Sequence, residues 1–484
     1  PHDHQLEGAC KALDESDVLA ITPTGSGKTG FLLVYMHVAQ AIVKDPEMCP
    51  KDLRSRMTVD PCMVLVCPTK LSNMTWCVTY PATGLSALVI NADTKQSAQE
   101  IGVDIWQKAS SGVAVILLSP EQLSSPEFRR LMKDKTFARR LMALNVDEVP
   151  LLCTWGARFR TSYTRIGHIR AHFARSPAFV IALTATVCAG EQMDTICKYP
   201  SFHDGQYHLI HRSNVRYDIR WLFRTNRSGL YAYRFPELDW VLNTDTPREV
   251  VVFCQTIALT HRVFTYLRVK AAGLADRREC IRAFTSLTSA SYNRKTIEFL
   301  RDTTDNGLCV IVGTDTMAFG LDARGTTDVV SFGHIPSNTN LMLQRAGHIR
   351  DGRLCDGRAI VYLPRKAAEI AAIALRTGAT SRASRARKRT DNYNDANTKE
   401  SHNIDPLMAR VIIAACKVNA LNTITTIRKP LSLSRYQWRW SRVVGCHSDT
   451  SDGFPWFGKG CRACSDSCNN TWSLVLNESS IISR

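Results

Sequence analysis

Short, unbroken apolar runs recur along the chain, each closed by polar or small residues and followed by a stretch of helical period. In the first half they are Val18–Ile21, Met63–Cys67, Ala87–Ile90, Val113–Leu118, Leu141–Val146 and Phe179–Leu183. A second set is Val250–Cys254, Cys309–Val312, Asp328–Phe332 and Ala359–Leu363. Runs without alternation suit strands buried on both faces, and intervening helices suit parallel βαβ units. The pattern predicts an α/β fold of two consecutive parallel-sheet domains, over 1–220 and 221–376, with the crossing near 220–247. Beyond about residue 376 it fails. Thr377 to Glu400 is rich in Ser, Arg, Asn and Thr and reads as a basic flexible linker, 377–405. A short apolar helix, Leu407–Cys416, opens an irregular, cysteine-bearing tail over 406–484.

Polar clusters follow the carboxyl ends of these runs: Thr22–Thr29, Pro68-Thr69, Ser119-Pro120-Glu121, Asp147-Glu148 and Thr184-Ala185-Thr186. Ligands of open α/β sheets bind at that edge, so the repetition points to one shared site. Thr22-Pro23-Thr24-Gly25-Ser26-Gly27-Lys28-Thr29 lies between a strand and a helical pattern. Its glycines let backbone N–H groups wrap a phosphate at a helix N-terminus. Lys28 is then expected to reach the β/γ-phosphates of ATP, and Thr29 to ligate Mg²⁺. Asp147 at the end of its run fits a second Mg²⁺ ligand, and Glu148 a group that polarises the attacking water. Gln5 carries both a donor and an acceptor, which suits an adenine edge.

Composition narrows the classes. Hydrophobic residues are 44% and charged residues 22% of the 484, enough for sizeable cores, which excludes fibrous, collagen-like and wholly disordered chains. The net charge of +17 favours a polyanionic partner, nucleic acid before membrane. Residues 365–484 hold 19 Lys+Arg against 9 Asp+Glu, so more than half of that excess lies outside the two domains. The 17 cysteines are scattered and odd in number, which points to a reducing compartment. The longest apolar stretch, Phe31 to Val43, is too short to span a bilayer. The first residue is Pro rather than Met, which points to a fragment.

In order along the chain, these residues resemble the RecQ family of superfamily 2 DNA helicases, in a style most similar to fungal members. Gln5 resembles the adenine-reading motif, Thr24–Thr29 motif I, Val66–Thr69 motif Ia, Ser119–Glu121 motif Ib, Asp147–Val149 motif II and Leu183–Thr186 motif III. Trp155-Gly156, Phe159-Arg160 and Tyr163 resemble the aromatic-rich loop, and Arg212, Asn214 and Tyr217 the strand after the first domain. In the second domain Val251–Gln255 resembles motif IV, Gly313–Asp315 through Phe319–Asp322 motif V, and Gln344-Arg345 to Arg350–Gly352 motif VI. The resemblance implies two RecA-like domains and an ATP-driven, 3′ to 5′ translocase on single-stranded or partly duplex DNA, working inside the cell, in the nucleus. It implies ATP contacts from Gln5, Thr24–Thr29, Gln344 and Arg345, an arginine finger at Arg350, and DNA contact or coupling at Trp155, Phe159, Arg160, Thr184 and Thr186. It further implies a zinc set of Cys416, Cys461, Cys464 and Cys468, with Cys446 or His447 as another fourth ligand.

Four positions depart from the pattern. Pro150 stands where the family has a histidine, Ala157-Arg158 replace His-Asp in the aromatic loop, and His348 stands for the first arginine of a shortened motif VI. They leave two further readings open: a pseudo-helicase that binds ATP and nucleic acid without unwinding, and a superfamily 2 RNA helicase. The basic run Arg382, Arg385, Arg387, Lys388 and Arg389 reads either as a phosphate-binding or import segment or as a solvated linker.

Overall fold

In the computed structural model, thirteen strands among the described residues form two all-parallel sheets. The strands are β1 (Asp17–Ile21), β2 (Cys62–Val66), β3 (Ala87–Ile90), β4 (Val115–Leu118), β5 (Leu141–Val146), β6 (Val180–Thr184), β7 (Tyr207–His211), β8 (Ile219–Thr225), β9 (Glu249–Cys254), β10 (Ile281–Phe284), β11 (Cys309–Gly313), β12 (Asp328–Phe332) and β13 (Gly357–Leu363). The first sheet runs β3-β4-β2-β5-β6-β1-β7 and the second β10-β11-β9-β12-β13-β8. The structure describes residues 1–151, 166–170, 179–187, 191–198, 200–203, 205–213, 216, 218–242, 249–273, 279–302, 308–321, 325–349, 357–383 and 404–428. All of these fall in one compact unit, Pro1–Arg442.

Successive residues of each apolar run point to opposite faces, and both faces are covered. Val18, Ala20, Met63 and Leu65 pack with Leu32, Tyr35 and Met36 of the helix α2 (Lys28–Lys44) and with Ala9 and Ala12 of α1 (Asp3–Leu13). Leu19, Ile21, Val64 and Val66 pack on the other face with Phe128, Leu131 and Phe137. In the second sheet Val250, Val252, Val310 and Val330 meet Leu259, Val263 and Leu267 of the helix Ile257–Lys270.

Three strands are invisible as apolar runs: β7, β8 and β10. Each is an edge strand, and β7 and β8 carry several exposed or half-exposed positions, such as His208, Arg220 and Arg224, so alternation with polar residues replaces the continuous run. The chain leaves the first sheet at His211 and enters the second at Ile219, a few residues earlier than the apolar pattern suggests. The helix Ala367–Ala383 also continues past residue 376, because extending an existing helix costs far less than starting one. A second long helix, Pro406–Arg428, is more than twice the length of its apolar segment and packs on the first, with Met408 and Ile412 buried. Among the described residues no helix is long and apolar enough to cross a membrane.

Candidate active site

The strand order brings the polar clusters together. β6 lies between β5 and β1, so the loop after β1, the Thr184-Ala185-Thr186 turn and Asp147-Glu148 emerge side by side. The loop after β1 turns through Gly25 (φ 87°) and Gly27 (φ 82°), left-handed conformations that glycine adopts without a Cβ penalty. A Cβ at Gly27 would also lie 2.5 Å from Gln5 Nε2. Lys28 Nζ donates to the carbonyls of Thr22 (3.2 Å) and Pro23 (3.3 Å), so the ammonium lies curled under its own loop. Thr29 follows in the first turn of α2; its side chain is not among those described. Ser26 Oγ is buried with no hydrogen-bond partner.

Gln5 is 5% exposed and braces this loop. Its Nε2 donates to Gly27 O (2.6 Å), and its Oε1 accepts from the His2 N–H (2.8 Å). A primary amide has two N–H donors and two acceptor sites, so one of each remains for a base edge.

Asp147 and Glu148 are each 7% exposed. Glu148 has φ 50°, the left-handed region, and its N–H donates to Asp147 Oδ1 (3.0 Å). A non-glycine residue held there is strained, which turns its carboxylate toward the second sheet's residues instead of along the strand. Burial, followed by the neighbouring charge of Glu148, pushes the Asp147 carboxyl up; Lys28 and a hydrogen bond from Trp76 oppose this. Burial likewise raises Glu148, against Lys28, Gln344 and the Ala185 N–H. Two buried like charges beside one ammonium are short of cations, which is the environment a divalent metal fits.

Thr184 and Thr186 are buried. The Thr184 hydroxyl accepts from the Thr186 N–H (3.1 Å) and donates to Thr186 O (3.2 Å), while Thr184 O accepts from Thr22 N (3.0 Å). Their turn therefore links the phosphate-loop strand to Glu148. Pro150 begins a helical turn, where a missing N–H costs nothing.

Residues of the second sheet complete the site. The helix Thr339–Ala346 presents Gln344, 3% exposed, whose Nε2 donates to Glu148 Oε1 (3.0 Å) and Ala318 O (3.2 Å). Its Oε1 accepts from Thr24 Oγ1 (3.4 Å), so one side chain touches the phosphate loop and the acidic pair. Gly347 lies so near Thr24 that a Cβ would stand 2.5 Å from Thr24 Cβ. Arg345, by contrast, is engaged within its own domain. It donates to Asp315 Oδ1 from Nε (2.9 Å) and Nη2 (2.6 Å), to Ser331 Oγ (3.1 Å) and to His334 Nε2 (2.9 Å), over the Phe253 ring. Burial and the Arg345 charge hold His334 down to about 4, so it accepts as the neutral imidazole. His348 is 1% exposed, with its ring nitrogens 3.2 Å from Leu321 O and Ala318 O.

A second seam, which the motif reading did not foresee, joins the sheets. Thr69 Oγ1 donates to Phe319 O (3.2 Å), Thr75 Oγ1 to Gly320 O (2.7 Å), and Asn340 Nδ2 to Gln192 Oε1 (3.1 Å). Gly320 (φ 86°) was the available signal, since a Cβ there would come within 2.6 Å of Ser72. Trp155, Phe159, Arg160, Arg350, Asn214, Tyr217, Cys461, Cys464 and Cys468 lie outside the described residues. Cys416 is half-buried, its thiol pushed up by burial, and among the described residues no three metal-ligating side chains converge.

No protein-family model matches the chain. In sequence it is similar to the ATP-dependent DNA helicase RecQ of Haemophilus influenzae, 22% identical over 345 residues, which are 71% of this chain and 47% of that protein. The chain thus spans less than half the length of this curated relative. In structure it is similar to the Mycobacterium smegmatis helicase Lhr bound to ssDNA and AMP-PNP, with a TM-score of 0.55, 17% identity, and coverage of 86% of this chain and 51% of that one. It is also similar to S. cerevisiae Dbp5 bound to RNA and ADP BeF3, with a TM-score of 0.52, 15% identity, and coverage of 85% and 97%. The chain has two parallel-sheet α/β domains with the fold of the helicases it resembles in structure, and it is similar in sequence to RecQ-type DNA helicases.

Proposed function

We propose that the chain is an ATP-hydrolysing motor of RecQ type that moves 3′ to 5′ along single-stranded DNA and separates partly duplex DNA. The observation that carries this reading is the meeting of Lys28, Asp147-Glu148 and Gln344 at the junction of two RecA-like sheets. In it, the backbone of Thr24–Lys28 wraps the terminal phosphates, and Lys28 exchanges its two carbonyl acceptors for phosphate oxygens. Thr29 and Asp147 would hold Mg²⁺, which would neutralise charge at those phosphates. Glu148 orients the attacking water and takes its proton, while Gln344 positions the Glu148 carboxylate. Arg350 is the arginine finger of this reading, and Arg345 organises the loop that carries Asp315. The Thr184–Thr186 turn relays the state of Glu148 to the strand-binding face. Trp155, Phe159 and Arg160 supply that face. A nuclear setting, and two tandem domains that each carry one of the sheets, belong to the same reading.

A pseudo-helicase is the second reading, favoured by His348, whose ring is engaged by backbone carbonyls, and by Pro150, which cannot relay a proton. ATPase assays with no strand, a dT strand and a U strand separate these readings. The motor predicts hydrolysis stimulated by dT more than by U and a loss of about 100-fold or more in Lys28→Ala. Hydrolysis that neither strand stimulates leaves the pseudo-helicase, and stimulation by U alone makes the chain an RNA motor. Pro150→His is expected to raise dT-stimulated turnover. Metal analysis of the wild type beside Cys464→Ser tests the zinc set.

A further inference from the structure

Away from this junction, the second domain carries a groove of ≈ 680 Å³ along the helix Ile257–Lys270, lined by Tyr233, Arg234, Arg262, Tyr266 and Lys270 among others. Tyr231 and Tyr233 stand 85% and 76% exposed beside it, large rings that no packing requirement places in water. The Arg262 guanidinium lies 5.9 Å from the Tyr231 ring centroid and 5.8 Å from that of Tyr233, and it donates to Leu230 O. Phe235, fully buried edge-on against Tyr266 and Phe332, anchors the following turn.

We propose that this groove is an accessory platform for single-stranded nucleic acid, on which Tyr231 and Tyr233 stack unpaired bases while Arg234 and Arg262 meet phosphates. Aromatic faces beside fixed cations form the sequence-tolerant single-strand contact, since every base offers a π-face. Charge selects an anionic partner over a neutral one, and the exposed Tyr231 and Tyr233 rings select bases that stack over an acidic peptide. The nearby carboxylate of Asp239 is paired with Lys270 Nζ (2.9 Å) and the Tyr266 hydroxyl (2.6 Å), so Arg234 and Arg262 carry the positive charge of the groove. Placement puts the exposed rings near the carboxyl end of the second sheet's strands. Leu230, next to Tyr231, lies against Gly333 at the carboxyl end of β12, the sheet edge that also carries the Phe319-Gly320 turn. The inference rests on the nucleic-acid motor reading and extends the strand's path beyond it.

The test measures binding of fluorescein-labelled dT and U strands of roughly 30 and roughly 8 nucleotides to the full chain. The variants are Tyr231→Ala/Tyr233→Ala and Tyr231→Phe/Tyr233→Phe, with thermal melting to verify the fold. The alanine pair is expected to weaken the long strand by about 10-fold or more and the short one little, with the phenylalanine pair restoring affinity because the stacking faces remain. Arg234→Ala is expected to flatten the salt dependence of long-strand binding by about 0.7 in log–log slope. A greater loss for dT or for U identifies which strand occupies the groove. If the wild type binds both lengths and the alanine pair matches it on both, the platform is overturned and the motor stands. If the wild type binds no strand, platform and motor reading fall together.

Discussion

At Asp147 and Glu148 the protein holds two adjacent carboxylates almost out of water, an arrangement that works against stability in favour of chemistry. Because burial lifts Asp147 above its unfolded value near 4, proton binding favours the folded state. That contribution is complete below the unfolded value and is lost as the pH rises through about 7. Asp147→Asn should therefore be more stable than the wild type at pH 8, by about 1–3 kcal/mol in ligand-free protein. The difference should vanish near pH 4, as urea denaturation at the two pH values would reveal, while ATP hydrolysis is lost. Equal stabilities at pH 8 would argue against the strained, desolvated pair. Arg345 is the opposite case, a buried guanidinium satisfied by Asp315, Ser331 and His334. Lysine cannot reproduce that fork, so Arg345→Lys is expected to cost about 2 kcal/mol or more in the same measurement. Sequence reading places Arg345 in an ATP motif but gives no hint of these partners, because 14 to 30 residues separate it from Ser331 and Asp315.

Between elements, single residues fix how helices meet. Asp405 caps the helix Pro406–Arg428 by accepting from Met408 N (2.8 Å), and its other oxygen accepts from Thr339 N (3.3 Å) at the start of the Gln344 helix. Asp405→Ala removes both contacts and is expected to cost about 1–2 kcal/mol, with Asp405→Asn restoring the cap on Met408 N but not the bond from Thr339 N, which an amide NH2 cannot accept. Turnover at saturating ATP should fall in both variants if the bond to Thr339 holds Gln344 in place. Gly320 has a different role: its positive φ and its contact with Ser72 leave no room for a Cβ. Gly320→Ala should loosen the seam between the sheets, detectable as a longer distance between labels on the two domains. The central strands are legible because burial on both faces makes them continuous apolar runs. The edges β7, β8 and β10 are not, because one flank has no neighbour and polar residues are tolerated there.

For the whole molecule, two sheets make one site only where they touch. The touching groups are polar: Thr24, Glu148 and Gln344 at one seam, Thr69, Thr75 and the Phe319-Gly320 turn at the other. Hydrogen-bonded seams of this kind exchange partners at modest net cost, as the proposed motor requires. Strand-stimulated turnover should fall steeply as salt rises, while turnover without a strand changes little, since phosphate contacts release counterions. Parallel salt dependence of the two would assign the effect to the nucleotide site.

Chemistry that depends on neighbours in the chain was determined by the sequence alone. The glycine turn before Lys28, the strand ending in Asp147-Glu148 and the apolar runs that become central strands all depend on residues a few positions apart, where backbone geometry and side-chain period act directly. Tertiary structure alone decided that Gln344 reaches Glu148 across 196 positions, that Arg345 turns to Asp315, and that Tyr231 and Tyr233 stand together over Arg262. Those contacts follow from strand order and sheet-to-sheet packing, which arise from many burial terms summed over the whole fold and leave no local pattern to read.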